Sequence, residues 1–69
     1  MIYKKKLKNN VQKYRVWKGW TQKRFSEISN VSISEIRLIE KLKVTPHVST
    51  RQKIANAFKI NENQLFYKE

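Results

Sequence analysis

The stretch TQKRFSEISNVSISEIRLIEKL, residues 21–42, contains two short helical patterns separated by three residues. Thr21 is a good N-cap for the first pattern, and Asn30 can end it because asparagine tolerates a left-handed backbone conformation. Ser32 and Glu35 fit the S-x-x-E capping box, in which each residue satisfies a backbone N–H of the other. The stretch therefore predicts two helices joined by a tight turn, with the second starting at Ser32.

Each of these two helices has one apolar face. In the first, Phe25 and Ile28 are predicted to point inward. In the second, a rotation of about 100° per residue places Ile36 and Ile39 on one face, with Glu40 near its edge. The opposite face, predicted to be exposed, carries Ser34, Arg37, Leu38 and Lys41.

Three further helices flank this stretch. Leu7, Val11 and Tyr14 recur at i, i+4 and i+7 before Gly19, which predicts a first helix over residues 7–18. Two more capping signals follow the loop that contains Pro46, and they predict the starts of a fourth and a fifth helix. The paired residues of these two signals are Ser49 with Gln52 and Asn61 with Gln64, and the residues predicted to complete the core are Trp20, Leu65 and Phe66.

The chain is strongly basic, with 16 Lys and Arg against 5 Asp and Glu and a formal net charge of +11. No acidic residue precedes Glu27, so the first third has charge of one sign and attracts nucleic acid or anionic lipid. Residues 1–6 are predicted to form a basic tail, which is either an arm that follows a phosphate backbone or a solvated end. Residues 7–69 are predicted to form a single domain. No apolar run of 18 residues could span a membrane, which predicts a cytoplasmic protein.

Several kinds of chemistry are excluded by composition. With no cysteine and one histidine, the chain has no thiol nucleophile, disulfide or Cys-His zinc site, and an isolated His47 gives no metal site. One glycine cannot form a phosphate-binding glycine loop, and the few carboxylates are scattered along the chain. We therefore predict a protein that is not an enzyme and needs no cofactor.

Two short helices joined through residues 30–32 form a helix-turn-helix pattern that is suited to DNA. The N-terminus of the helix after Thr21 can direct backbone N–H groups, the Thr21 hydroxyl and Gln22 toward a phosphate. The next helix, about residues 32–42, is then predicted to enter the major groove. Residues 21–42 are thus the predicted helix-turn-helix.

Several separated motifs resemble the Cro/C1-type helix-turn-helix (Xre-like) regulators of phages and bacteria. They are Gly19-Trp20-Thr21-Gln22, Val31-Ser32, Ile36 with Ile39-Glu40, Thr45-Pro46, and Lys53-Ile54-Ala55 leading to Leu65-Phe66. The resemblance implies an all-α, compact five-helix fold of the lambda-repressor type, with Arg15 paired to Glu40. The position of Glu40 near the core agrees with such a pair, whereas the alternative is an exposed pair with nearby lysines.

The resemblance also implies which residues contact DNA, and that the protein binds double-stranded DNA as a homodimer. The residues implied to face the bases are Gln22, Ile33, Ser34, Arg37 and Leu38. Those implied to hold the DNA backbone are Thr21, Lys23, Ser32, Lys41, Lys43 and Thr45.

The chain departs from the family pattern at Ser26, Ser29, Asn30, Leu42 and Arg51. Asn30 and Leu42 stand where the family has glycine, and the other three stand where it has small or aliphatic residues. Ser29 and Arg51 are expected to thin the core. We expect Ile28 to compensate for this loss.

The apolar residues of the predicted recognition helix leave two functions open. Ile33 and Leu38 can pack on thymine methyl groups in the major groove, with Ser34 and Arg37 adding hydrogen bonds, which fits a sequence-specific transcriptional regulator such as a phage repressor. Alternatively, Ile33, Leu38 and Leu42 form an apolar strip that binds and modulates another regulator protein, as an antirepressor does.

Trp17 raises a related question, because it lies off the apolar stripe of the first helix. It is expected to pack against the C-terminal helix or against Ile2 and Tyr3, and the alternative is a contact between the two copies of a dimer.

Overall fold

A computed structural model describes residues 7–68, so the predicted basic tail and the Ile2–Tyr3 contact of Trp17 lie outside the described residues. Within this range the chain forms five helices and two short strands. They are β1 (Lys8–Asn9), α1 (Val11–Trp17), α2 (Gln22–Ser29), α3 (Ile33–Glu40), α4 (Val48–Phe58), α5 (Glu62–Leu65) and β2 (Phe66–Tyr67). The predicted five-helix, all-α class is confirmed, and the two strands are an unpredicted addition.

The prediction that the first helix starts at Leu7 is wrong, because α1 begins at Val11. Lys8 and Asn9 instead form β1, which pairs antiparallel with β2. The Asn9 side chain accepts a hydrogen bond from Val11 N at 3.0 Å, a local bond that competes with helix formation. The expected helix end is observed, since Gly19 has a φ of 77° directly after α1.

Side-chain caps fix the other helix ends largely as predicted. Thr21 and Ser32 cap α2 and α3, each accepting a hydrogen bond from the backbone N–H three residues on. Asn61 and Gln64 form a reciprocal capping box on α5. Asn30 ends α2 in the left-handed conformation, with a φ of 60°. These local signals therefore set the boundaries of the central helices.

The predicted N-cap of α4, Ser49, lies two residues after the observed one. The helix begins at Val48 with His47 as its N-cap, and His47 makes no side-chain cap bond within residues 7–68. The first helical hydrogen bond joins Arg51 N to His47 O at 2.9 Å, and Arg51 Nη1 donates to Pro46 O at 2.7 Å. The loop is thus held to the first turn of α4 by an arginine side chain.

The core lies where α2, α3 and α4 meet α1 and the C-terminal residues. Trp20 and Phe25 pack with Phe58 in an aromatic cluster, with ring centroids 4.8–6.0 Å apart. Full burial of side chains of this size contributes about 1.5–3 kcal/mol each. The buried apolar residues are Val11, Phe25, Val31, Ile36, Ile39, Ile54, Ala55, Phe58, Leu65 and Phe66.

Two apolar residues lie further outside than predicted. Ile28 is 36% exposed, because the inward stripe of α2 runs from Phe25 to Ser29 and leaves Ile28 at its edge. Ile28 therefore does not compensate for the smaller core side chains. Trp17 is 75% exposed, which contradicts its expected packing against the C-terminal helix.

Candidate nucleic-acid interface

The turn between α2 and α3 is stabilised by serine side chains. Ser26 Oγ donates to Val31 O at 2.6 Å, while Ser29 Oγ donates to Phe25 O at 2.8 Å and accepts from Val31 N at 3.3 Å. Both backbone groups of the buried Val31 are therefore satisfied, which matters because an unpaired buried group costs about 1–3 kcal/mol. Ser29 is buried, and its side chain supplies hydrogen bonds to the turn.

The outer face of α3 is available to a ligand. Ile36 and Ile39 are fully buried and fix the rotation of the helix. The opposite face exposes Ser34, Arg37 and Leu38, and Ile33 in the first turn is half-buried. The eight-residue helix α3 therefore exposes one face to solvent, and this face combines basic, polar and apolar side chains.

The N-terminus of α2 forms a second part of the same surface. Thr21 Oγ1 accepts from Arg24 N at 3.0 Å, so its hydroxyl hydrogen can still donate to a phosphate. Thr21 and Lys23 are exposed, and Ser32 is exposed at the start of α3. These groups combine donors, a cation and two helix N-termini, which is the combination that attracts a phosphate.

Arg15 of α1 and Glu40 of α3 form a buried ion pair. Arg15 Nε and Nη2 lie 2.6 and 3.1 Å from Glu40 Oε2 and Oε1. Their side chains are 12% and 3% exposed. Arg15 Nη1 also donates to Trp20 O at 2.8 Å. The pair fixes the end of α3 to α1 and to the loop before α2.

Gln22 extends this pair toward the surface. Its Nε2 donates to Glu40 Oε1 at 3.0 Å, and its Oε1 accepts from Arg37 Nε at 3.4 Å. Gln22 is half-buried and Arg37 is exposed. The sequence patterns do not reveal this connection, because the paired residues are 15 and 18 positions apart and lie on different helices.

The segment after α3 places two more lysines beside the helix. Lys41 and Lys43 are exposed, and between them Leu42 has a φ of 61°. Lys43 N donates to Leu38 O at 2.9 Å, so Leu42 occupies the left-handed position of a Schellman-type helix end. This conformation costs about 1–2 kcal/mol for a residue other than glycine.

Thr45 does not belong to this surface. It is 7% exposed, and its hydroxyl accepts a hydrogen bond from Leu7 N at 3.0 Å. The predicted contact of Thr45 with the DNA backbone is therefore wrong, because a buried side chain cannot reach a phosphate. Its observed contact joins the loop after α3 to the segment before α1.

Several large apolar side chains are exposed in the part of the chain that the structure describes, and two groups of them bear on the predicted functions. Leu38 and Leu42 are 44% and 38% exposed beside the basic face of α3. On α1, Trp17 and Tyr14 line a shallow open pocket with Asn10 and Lys13. Only the first of these surfaces adjoins the helix-turn-helix.

Metal clusters and membrane-spanning helices are both absent from the described residues. Among residues 7–68, no group of three His, Cys, Asp or Glu side chains lies close enough to hold a metal ion. None of the helices in the same range is long and apolar enough to cross a bilayer.

Comparisons with known proteins agree with this geometry. A family model described as helix-turn-helix matches residues 11–65, most of the chain. The hypothetical transcription factor NHTF from Neisseria has a similar crystal structure, with a TM-score of 0.73 and 24% sequence identity. That match covers 80% of this chain and 63% of NHTF. A search of curated protein sequences finds no significant match. The chain belongs to the Cro/C1-type helix-turn-helix family.

Proposed function

We propose that the protein is a sequence-specific DNA-binding transcriptional regulator, and that it acts as a repressor or Cro-like protein of the kind found in phages and mobile elements. The observation that carries the proposal is the outer face of α3, which is exposed beside the N-terminus of α2 in a chain with a net charge of +11. Family membership supports the same function. No chemical step and no cofactor are part of the proposal.

In the proposed complex, α3 enters the major groove. Arg37 donates to a guanine, Ser34 bonds a base edge, and Leu38 and Ile33 pack on thymine methyl groups. The two ends of the surface hold the phosphates. The residues in this role are Thr21, Lys23 and Ser32 at one end and Lys41 and Lys43 at the other.

A single eight-residue helix reads few base pairs, so we propose that two copies bind a palindrome. The half-sites would lie about one helical turn, roughly 34–36 Å, apart. Analytical ultracentrifugation with a selected duplex measures the stoichiometry. We expect two chains per duplex, and one chain on a full-length site would refute the dimer.

The principal test is the selection of binding sites from random duplexes at about 150 mM salt, followed by sequencing. We expect an AT-rich, palindromic motif that contains at least one guanine in each half-site. Recovery of no motif, with binding that disappears as the salt concentration rises, would refute sequence-specific recognition.

The phosphate contacts have a separate test. Each phosphate that is neutralised on duplex DNA contributes about −0.9 to the slope of log affinity against log salt. Lys41→Gln and Lys43→Gln should each make the slope less steep by roughly that amount. Lys13→Gln is the matched control, because Lys13 is exposed and lies about 160° around α1 from Arg15, the residue that contacts α3. An equal effect of all three substitutions on the salt slope would indicate that the net positive charge attracts DNA without defined phosphate contacts.

A second candidate function is an interaction module that binds another regulator. The exposure of Leu38 on α3 and of Leu42 directly after it favours this function. Leu38→Lys distinguishes the two functions, because it removes apolar surface and adds a cation. If Leu38 contacts DNA, Leu38→Lys should lose the preference for thymine in a selection experiment. If Leu38 contacts a protein, Leu38→Lys should lose the capture of a partner at high salt, while the DNA motif stays unchanged.

A further inference from the structure

We propose that Gln22 sets the base preference of Arg37 by holding its guanidinium, rather than by contacting DNA itself. Gln22 is a positioning residue in this proposal, which rests on the proposed DNA-binding function. The structure places Gln22 between the buried carboxylate of Glu40 and the exposed side chain of Arg37.

The orientation of the Gln22 amide follows from the chemistry of its inner neighbour. An ionised carboxylate only accepts hydrogen bonds, so the nitrogen of the Gln22 amide must face Glu40. The observed distance from Gln22 Nε2 to Glu40 Oε1 is 3.0 Å. The amide oxygen is consequently turned away from Glu40, toward Arg37. At the surface, Gln22 thus offers an acceptor, which repels a phosphate oxygen but attracts a guanidinium.

The inner end of this chain of contacts is fixed. Glu40 is 3% exposed and also accepts hydrogen bonds from Arg15 Nε and Nη2. Arg15 is in turn bonded to the carbonyl oxygen of Trp20. Rotation of the Gln22 amide would place its oxygen against the carboxylate of Glu40, which is unfavourable in a buried site. The acceptor that faces Arg37 is therefore held by the core of the domain.

The contact with Gln22 determines which donors Arg37 retains. Arg37 Nε lies 3.4 Å from Gln22 Oε1, whereas its two Nη groups have no acceptor among the residues from 7 to 68. Two terminal N–H groups in a planar fork match the O6 and N7 acceptors of guanine. Holding the Nε side also reduces the freedom that a long side chain loses on binding. Gln22 should therefore increase the preference for guanine at one base pair.

The test compares wild-type protein with Gln22→Met, which has a side chain of similar length and no hydrogen bond to either neighbour. Binding is measured on the selected duplex and on duplexes that carry each other base at the guanine position. A bidentate arginine gives a preference of about 5- to 150-fold. We expect wild-type protein to show it and Gln22→Met to lose most of it, with an unchanged salt slope. Circular dichroism first establishes that the variant is folded.

Arg37→Lys provides the matched comparison, because lysine keeps the charge but lacks the planar fork. It should lose the guanine preference, and adding Gln22→Met to it should have no further effect on that preference. In the free protein, NMR should show faster exchange of the Arg37 Nε–H with water in Gln22→Met than in wild type. A merely structural role of Gln22 would not change the preference at one base pair.

The outcomes separate this proposal from the proposed function. A uniform loss of affinity for all duplexes in Gln22→Met would make Gln22 a phosphate contact and overturn the positioning role. A full guanine preference in Gln22→Met, or a motif whose guanine does not depend on Arg37, would also overturn it while leaving the DNA-binding function intact. If wild-type protein selects no motif, both proposals fail.

Discussion

Replacement of Glu40 by alanine should destabilise the domain more than most single substitutions. The change would leave the Arg15 guanidinium, which is 12% exposed, without the carboxylate that lies 2.6 Å from its Nε. Removing one partner of a buried ion pair costs about 3–5 kcal/mol, mainly because the remaining charge is buried without compensation. A chain of this size has a free energy of unfolding of roughly 3–10 kcal/mol. Glu40→Ala should therefore remove a third of the stability or more.

The free energy of unfolding is measured by urea denaturation followed by circular dichroism at 222 nm. For a small domain, each 1 kcal/mol corresponds to a Tm change of about 4–8 °C. We therefore expect a Tm at least about 12 °C lower for Glu40→Ala than for wild type. A loss below about 1 kcal/mol would refute the reasoning, because it would mean that Arg15 is solvated when Glu40 is absent.

Two control variants test the cause of this loss. Arg24 and Glu27 form an exposed pair at 3.4 Å, with side chains 63% and 54% exposed, so Glu27→Ala should cost no more than about 0.5 kcal/mol. The double variant Arg15→Met with Glu40→Leu removes both charges and should recover most of the stability lost in Glu40→Ala. If the double variant is as unstable as the single variant, packing rather than the unpaired charge determines the effect.

Three further predictions concern single side chains, and each is tested by the same denaturation experiment. Ser32→Ala should lower the free energy of unfolding by about 1 kcal/mol, because it removes the N-cap of α3. Ser49→Ala, in the first turn of α4, should change it by less than about 0.5 kcal/mol. Equal effects of the two changes would contradict the observed start of α4. Trp20→Ala should cost about 3 kcal/mol and Trp17→Ala less than about 0.5 kcal/mol, and the reverse order would contradict their packing. Leu42→Asn should raise the free energy of unfolding by up to about 1 kcal/mol, since asparagine tolerates the left-handed backbone conformation of residue 42 better than leucine does. A loss of similar size would show that the packing of the Leu42 side chain outweighs the backbone strain.

The features that the sequence predicted well are those decided by a few neighbouring residues. Thr21, Asn30 and Ser32 act on backbone groups within three or four positions, so their caps and turn can be recognised without knowledge of the fold. The buried face of α3 follows in the same way from the spacing of Ile36 and Ile39. Family resemblance then added the pairing of Arg15 with Glu40, which residue spacing alone left open.

The features that escaped prediction depend on contacts between distant parts of the chain. The helical pattern of residues 7–10 is overridden by pairing of β1 with β2, whose residues are almost sixty positions away. Thr45 was predicted to hold the DNA backbone, but it is buried and its hydroxyl accepts a hydrogen bond from Leu7 N, which is 38 positions away. The connection from Glu40 through Gln22 to Arg37 likewise requires α2 and α3 to be packed first.

Three of the five departures from the family pattern supply hydrogen bonds from a side chain to the backbone. Ser26 and Ser29 bond the turn at Val31, and Arg51 bonds the carbonyl oxygen of Pro46. Such bonds contribute only about 0.5–1.5 kcal/mol each, but they are directional and so restrict the positions of the groups that they join. In this domain the restricted groups are the turn before α3 and the loop after it. Ser26 and Ser29 therefore hold the turn that precedes the helix that we propose reads DNA, and Arg51 holds the loop between that helix and α4.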